Sequence, residues 1–268
     1  MQCMKKGAYI VDRLLPEFVR AAAERQGISC EILSDGWVLR LDKGLKLRWV
    51  LGYQFDLNAA AASGIAQDKV ATYLALKRAG VPSVEHVLLR SLLGEPFPAK
   101  ELSKTFPDQF IIKPLDGTGG RDVLLVQNAA EAEKIIRSSQ ELTWAASPFL
   151  DISAEYRVIL LDGSPLIMYE KTEPVAENGL RYYNLGKGAR PSEVLTQDTK
   201  GILEDLARQT CAALGLRLAS VDIVRVGQRL MVLEVNDGIM MENYARSSEQ
   251  YKKNAALAYD AIITTMFK

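Results

Sequence analysis

Ile111-Ile112-Lys113-Pro114-Leu115-Asp116-Gly117-Thr118-Gly119-Gly120-Arg121-Asp122-Val123-Leu124-Leu125-Val126 is the stretch on which the reading of this chain turns. Gly117, Gly119 and Gly120 crowd three glycines into four residues around Thr118. Glycine tolerates positive φ and close backbone approach, so such a loop can turn several N–H groups toward phosphate oxygens. Both flanks, residues 109–113 and 123–126, have the apolar, β-branched character of strands, giving strand–loop–strand. A Walker A loop needs Gly-Lys-Ser/Thr and a following helix, and both are missing. The dinucleotide fingerprint fails as well, because Asp122 takes the third glycine position and a strand follows. A plain hairpin turn is the simpler alternative; Lys113 immediately before the loop favours phosphate binding.

Outward from the loop, helices and strands mix without strict alternation, which argues for an α+β fold. Toward the N-terminus the pattern predicts strands at 8–12, 29–33, 37–41, 45–51 and 85–89, and helices at 14–25 and 68–80. Toward the C-terminus it predicts helices at 129–138, 199–214 and 246–266, with strands at 144–149, 157–161, 166–171, 220–226 and 230–235. Residues 92–106 read as a proline-containing stretch without a regular element. The implied division is a small α/β unit at 1–64, a central subdomain with the glycine loop at 65–146, and a C-terminal subdomain at 147–268.

A second informative stretch is the hairpin of residues 218–237. Glu234 and Asn236 are two apart on one strand and so share a face. Asp222 lies in an otherwise apolar strand, where an acid is costly unless a cation or donor compensates it. A two-residue turn at Gly227-Gln228 places Asp222 opposite Leu233. A three-residue loop, Gly227-Gln228-Arg229, pairs Val226 with Leu230 and sets Asp222 across from Glu234. A metal-binding reading therefore requires the odd loop or a bulge. The simpler alternative is a surface hairpin.

Composition removes competing classes. The 268 residues carry 33 Lys+Arg and 33 Asp+Glu, so nothing in the net charge points to nucleic acid or an anionic membrane. The one histidine, His86, excludes a His-rich zinc site and reads as a structural residue where a strand begins. Cys3, Cys30 and Cys211 are far apart and form no Cys-x-x-Cys pair. With no secretory signal and no apolar run of membrane-spanning length, the expected location is cytoplasmic.

Taken in order, the motifs resemble the ATP-grasp superfamily, and most of all its carboxylate–amine ligases, the group of D-alanine–D-alanine ligase, glutathione synthetase and the glutamate ligases. The resemblance spans roughly residues 65–245. It rests on Asp68-Lys69 opening a helix that ends Ala79-Gly80-Val81-Pro82, on Ile112-Lys113-Pro114 with the glycine loop, and on Glu155-Tyr156-Arg157 following Phe149-Leu150. It continues through Asn184-Leu185-Gly186-Lys187-Gly188-Ala189 to Val221-Asp222 and Leu233-Glu234-Val235-Asn236.

The resemblance implies an ATP-grasp fold in which two α+β subdomains sandwich the nucleotide. Lys69 and Lys113 would contact ATP, Gly117, Thr118, Gly119 and Gly120 would cover its phosphates, and Pro148 and Leu150 would read adenine through their backbone. Glu155 would hold the ribose. Asp222, Glu234 and Asn236 would bind magnesium, two ions being expected and manganese able to substitute. Arg157, Lys171, Asn184 and Lys187 would serve the reaction, with Arg181 and Arg190 as weaker candidates. The implied chemistry joins a small-molecule carboxylate to an amine through an acyl phosphate, with no nucleic-acid or membrane partner. A homo-oligomer is left open. A phosphotransferase and a non-catalytic nucleotide binder are the alternatives. One departure stands out: no Pro-Gly follows Asn236, where the chain reads Asp237-Gly238-Ile239-Met240-Met241-Glu242-Asn243.

Overall fold

The computed structural model describes residues 13–90, 97–115, 117, 120–141 and 143–268. The strand expected at 8–12 lies outside them, as do Thr118 and Gly119. The chain forms two compact units. One combines the residues up to Leu57 with Gly238–Lys268; the other is the continuous stretch Asn58–Asp237.

The first unit opens with α1 (Leu15–Arg25), which carries Pro16 in its first turn, where no N–H is required. Leu15, Val19, Ala22 and Ala23 recur at helical spacing and are buried. An antiparallel sheet follows in the order β1 (Ser29–Leu33), β2 (Val38–Lys43), β3 (Lys46–Leu51) and β4 (Gln54–Phe55).

The second unit begins with α2 (Ala60–Gln67) and α3 (Lys69–Arg78). Asp68 separates them and caps α3, accepting from Val70 N at 2.9 Å and Ala71 N at 2.8 Å. Then come β5 (Val87–Arg90), α4 (Ala99–Thr105), β6 (Phe110–Pro114), β7 (Leu124–Val126), α5 (Ala129–Ser138) and β8 (Thr143–Pro148). These strands form a sheet of order β5-β8-β6-β7. Val87, Leu89, Phe110, Ile112, Val126, Trp144 and Ala146 point to one face and pack with Leu102 of α4 and Ala132 and Ile136 of α5. Period two therefore puts Leu88, Ile111, Lys113, Ala145 and Ser147 on the other face.

The rest of the unit comprises β9 (Ile152–Leu161), β10 (Ser164–Thr172), the short ribbon β11 (Val175–Glu177) with β12 (Leu180–Tyr182), β13 (Arg190–Ser192), α6 (Gln197–Leu214), β14 (Leu218–Val226) and β15 (Arg229–Asn236). The larger sheet is antiparallel, in the order β13-β10-β9-β14-β15. One face carries Tyr156, Val158, Leu160, Val221 and Ile223, and α2, α3 and α6 bury it through Ala66, Leu76, Leu203, Ala207 and Cys211. Beyond its edge, Val84 N donates to Val232 O at 2.8 Å and Val232 N donates to Pro82 O at 2.9 Å, so residues 82–84 run beside β15.

The chain then returns to the first unit through α7 (Glu242–Arg246) and α8 (Glu249–Met266). The helix expected at 246–266 is broken at Ser247-Ser248, because Ser248 caps α8 by accepting from Tyr251 N at 3.1 Å. Assigning all of 147–268 to one subdomain is corrected too. Residues 238–268 group with the N-terminal sheet, because the buried stripe of α8 (Ala255, Tyr259, Ile262, Met266) needs an apolar surface and finds it there. Tyr259 stacks on Phe18 of α1 at 5.5 Å and lies 6.0 Å from Phe55 of β4.

Candidate active site

The functional residues of the larger sheet follow from its register. On β9, Glu155 and Arg157 sit two apart on the face turned from the helices. Lys171 pairs with Glu155 and Tyr169 with Arg157 from β10, and Asp222 pairs with Arg157 from β14. On the far side of β14, Asp222 stands opposite Glu234, and Ser220 opposite Asn236.

How Asp222 meets Glu234 differs from the three-residue loop. The turn is the two-residue kind, with Val226 paired to Arg229 and Gly227 at φ 58°. A β-bulge then intervenes: Ile223 pairs with Val232 and Asp222 with Glu234, leaving Leu233 as the extra residue. The bulge also corrects the alternation of β15. Val232 does not share the face of Glu234 but joins Val235 in the core. The bulge thus lets two valines three apart both be buried while Glu234 still faces Asp222.

The resulting cluster is dense in charge. Arg157 grips Asp222 with both ends of its guanidinium, Nε to Oδ1 at 2.7 Å and Nη2 to Oδ2 at 2.6 Å. Lys171 Nζ lies 3.1 Å from Asp222 Oδ1 and also donates to Glu155 Oε1. Burial pushes the Asp222 carboxyl up, but the adjoining Arg157 and Lys171 charges overcome it and hold the group down at about 2. Glu155 goes the other way. Burial and the Asp222 charge raise its carboxyl despite Lys171. Glu155, expected to meet ribose hydroxyls, is the ion partner of a buried lysine here.

The smaller sheet contributes Lys113 from the face opposite its helices. Its ammonium is depressed to about 8, by burial above all and by Lys69, against the pull of Glu234 and Glu155. Those neighbours put Lys113 within electrostatic range of the carboxylates of the larger sheet. Lys69, in the first turn of α3, donates to Leu115 O at 3.1 Å and Gly117 O at 2.8 Å, and so holds the entry to the glycine loop. Gly120 adopts φ 69°, and a Cβ there would stand 3.5 Å from the Tyr182 ring of β12. Pro148 pairs with Phe110 at the end of β8, and the Leu150 carbonyl accepts from Ile152 N at 3.0 Å.

Other expected residues are engaged elsewhere. Lys187 lies over the Tyr182 ring at 3.6 Å and reaches Glu177 at 3.3 Å. Asn184 Oδ1 accepts from Gly186 N at 2.7 Å, shaping its own turn. Arg181 pairs with Asp151, and Arg190 with Glu173 at 3.2 Å, all at exposed positions. Three buried residues were missed as parts of this region: Tyr169, Ser220 and His86. For the first two the signal was period two, since they precede Lys171 and Asp222 by two residues. His86 carried none.

The donor set can be tested against magnesium on its chemistry. Asp222, Glu234 and Asn236 offer two carboxylates and an amide oxygen, hard donors of the kind magnesium takes alongside substrate phosphates. Among the described residues, no three His, Cys, Asp or Glu side chains gather into a cage, and no helix is long and apolar enough to cross a membrane. The residues fit an ion delivered with its phosphates.

Comparisons with known proteins agree with this geometry. A probable alpha-L-glutamate ligase from Haemophilus influenzae is 25% identical over 198 residues, covering 72% of this chain and 62% of the relative. The chain thus spans less than two thirds of that relative's length. A crystal structure of D-alanine–D-alanine ligase from Bacillus anthracis superposes with a TM-score of 0.61 at 17% identity, over 78% of this chain and 69% of that one. A bifunctional glutathione synthetase from Pasteurella multocida gives a TM-score of 0.55 at 17% identity, over 90% of this chain and 44% of that one. The sequence model of the ATP-grasp domain matches residues 66–240, well over half of the chain, and the protein belongs to the ATP-grasp family.

Proposed function

We propose that the protein is an ATP-dependent carboxylate–amine ligase that forms ADP, phosphate and an amide bond. One observation carries the reading: the bulged pairing that sets Asp222 opposite Glu234, with Arg157 and Lys171 on the same face and Lys113 within electrostatic range. Four cations (Lys69, Lys113, Arg157, Lys171) gather with three carboxylates (Glu155, Asp222, Glu234). Such a set suits a polyanionic substrate whose charge shifts during phosphoryl transfer.

In this reading Lys69 and Lys113 bind ATP phosphates, and the glycine loop covers them with its N–H groups. The backbone of residues 147–150 reads adenine. Asp222, Glu234 and Asn236 would hold magnesium, which when bound would neutralise phosphate charge. Arg157 and Lys171 face the transferring phosphoryl group and stabilise the acyl phosphate formed from the carboxylate substrate. The amine then displaces phosphate. The nucleophiles belong to the substrates, and the protein supplies position and charge. Lys187 and Asn184 sit by the β11–β12 ribbon, from which they would close over the phosphates. The relatives' names point to amino-acid or peptide substrates.

The test is an ADP-release screen over amino acids and small acids, singly and in pairs. ADP formed only when a carboxylate and an amine are both present supports the ligase. ADP with a stable phosphorylated product and no need for an amine would make it a phosphotransferase.

A further inference from the structure

In the Asn58–Asp237 unit, two buried side-chain polar atoms among the described residues lack a hydrogen-bond partner: Ser220 Oγ and His86 Nε2. His86 is the more telling, because its other nitrogen is fixed. Nδ1 lies 3.0 Å from the Val84 carbonyl, which can only accept, so Nδ1 carries the proton. Nε2 of the neutral ring is then an acceptor with nothing to accept. His86 immediately precedes β5, and the charges of Lys113 and Lys69 both act on its ring. The residue is 3% exposed and lines a cavity of about 10 Å³ with Lys69, Thr72, Tyr73 and Glu234, room for about one water.

Donors near this cavity are mostly spent. Lys69 serves Leu115 O and Gly117 O, Thr72 donates to Ile65 O at 2.7 Å, and Tyr73 donates to Glu85 at 3.2 Å. The Lys113 ammonium makes no hydrogen bond or ion pair to the described residues, although Glu234, Lys69 and Glu155 surround it electrostatically. We propose that His86 is a positioning residue of the nucleotide site, its Nε2 accepting one N–H of Lys113 when nucleotide binds and leaving the other two aimed at the phosphates. A third positive charge beside Lys69 and Lys113 is excluded. Burial first, then those two charges, lowers the imidazole to about 3, so the ring stays neutral at physiological pH. This deepens the ligase reading and rests on its nucleotide site.

The lone histidine makes the test clean. The full chain is labelled with ¹⁵N-histidine and titrated with magnesium and a non-hydrolysable ATP analogue, while a melting shift reports binding independently. The expected result is an Nδ1-protonated ring whose Nε2 resonance moves toward the hydrogen-bonded range as nucleotide saturates, and does not move in Lys113→Met at saturation. His86→Gln, which keeps an acceptor, should bind within about threefold of wild type, and His86→Phe about tenfold more weakly. If His86→Phe does not fold, the comparison with Lys113→Met decides alone. A melting shift with a silent Nε2, the same movement in Lys113→Met (a water as the partner), or wild-type binding by His86→Phe overturns the role of His86 and leaves the nucleotide reading standing. No melting shift at all overturns both.

Discussion

Lys113 and Lys171 are both buried lysines, and their surroundings drive them in opposite directions. Lys113 has charged neighbours of both signs at a distance, and burial with Lys69 lowers it to about 8. Phosphate binding needs the ammonium, so nucleotide affinity is expected to be full below about pH 7 and to fall as pH rises through about 8. Calorimetric titration of ADP across that range checks this, and Lys113→Arg, which keeps its charge, should remove the decline. Lys171 is instead raised: burial and Arg157 oppose its charge, but Asp222 and Glu155 in contact with it prevail. Lys171→Met strands the buried Glu155 carboxylate and should cost about 3 kcal/mol in urea melts. Adding Glu155→Gln should recover much of the loss; an additive double variant would show that the pair is not coupled.

At the scale of elements, two short devices position the site. The Asp68 cap fixes the start of α3, and Lys69 lies in the turn it secures. Asp68→Ala is expected to lower stability by about 1 kcal/mol and to weaken nucleotide binding as Lys69 loses its anchor. Urea melts and titration of the same variant check both; unchanged affinity would separate Lys69 from the cap. The bulge at Leu233 is the second device. An odd-length loop at Gly227–Arg229 was the sequence expectation for bringing Asp222 to Glu234, although a glycine after Val226 suits a two-residue turn followed by a bulge equally. Packing settled it, because Val232 and Val235 both belong to the core beneath the sheet. The elements missed from sequence, β4, α2, α4, the β11–β12 ribbon, β13 and α7, are short or weakly periodic. The alanine run of α2 gives little contrast between its faces, and the three-residue strands are too short for period two to register.

Over the whole molecule, connectivity and compactness part company. Asn58–Asp237 is continuous, carries every proposed ATP, metal and reaction residue, and has its own cores. The other unit is assembled from the two ends of the chain. A fragment of residues 58–237 is therefore expected to unfold cooperatively and to keep the nucleotide-dependent melting shift. Residues 1–57 alone should stay unfolded, lacking Tyr259, Ile262 and Ile263 of α8. Circular dichroism melts of both fragments check this, and a fragment 58–237 without a cooperative transition would refute it.

Residue type and order along the chain determined the α+β class, the glycine loop after Lys113, the Glu155/Arg157 and Glu234/Asn236 spacings and the family resemblance. These are local properties, set by periods of two and 3.6 and by the conformational demands of glycine. Tertiary structure decided the rest. It brought Lys171 of β10 and Arg157 of β9 onto Asp222 of β14, gave Glu155 a lysine partner, and buried the one histidine beside two lysines. It also returned the C-terminal helix to the N-terminal sheet. Such contacts join residues from 16 to more than 200 positions apart, and shared burial between strands and helices selects them, which no periodicity along the chain encodes.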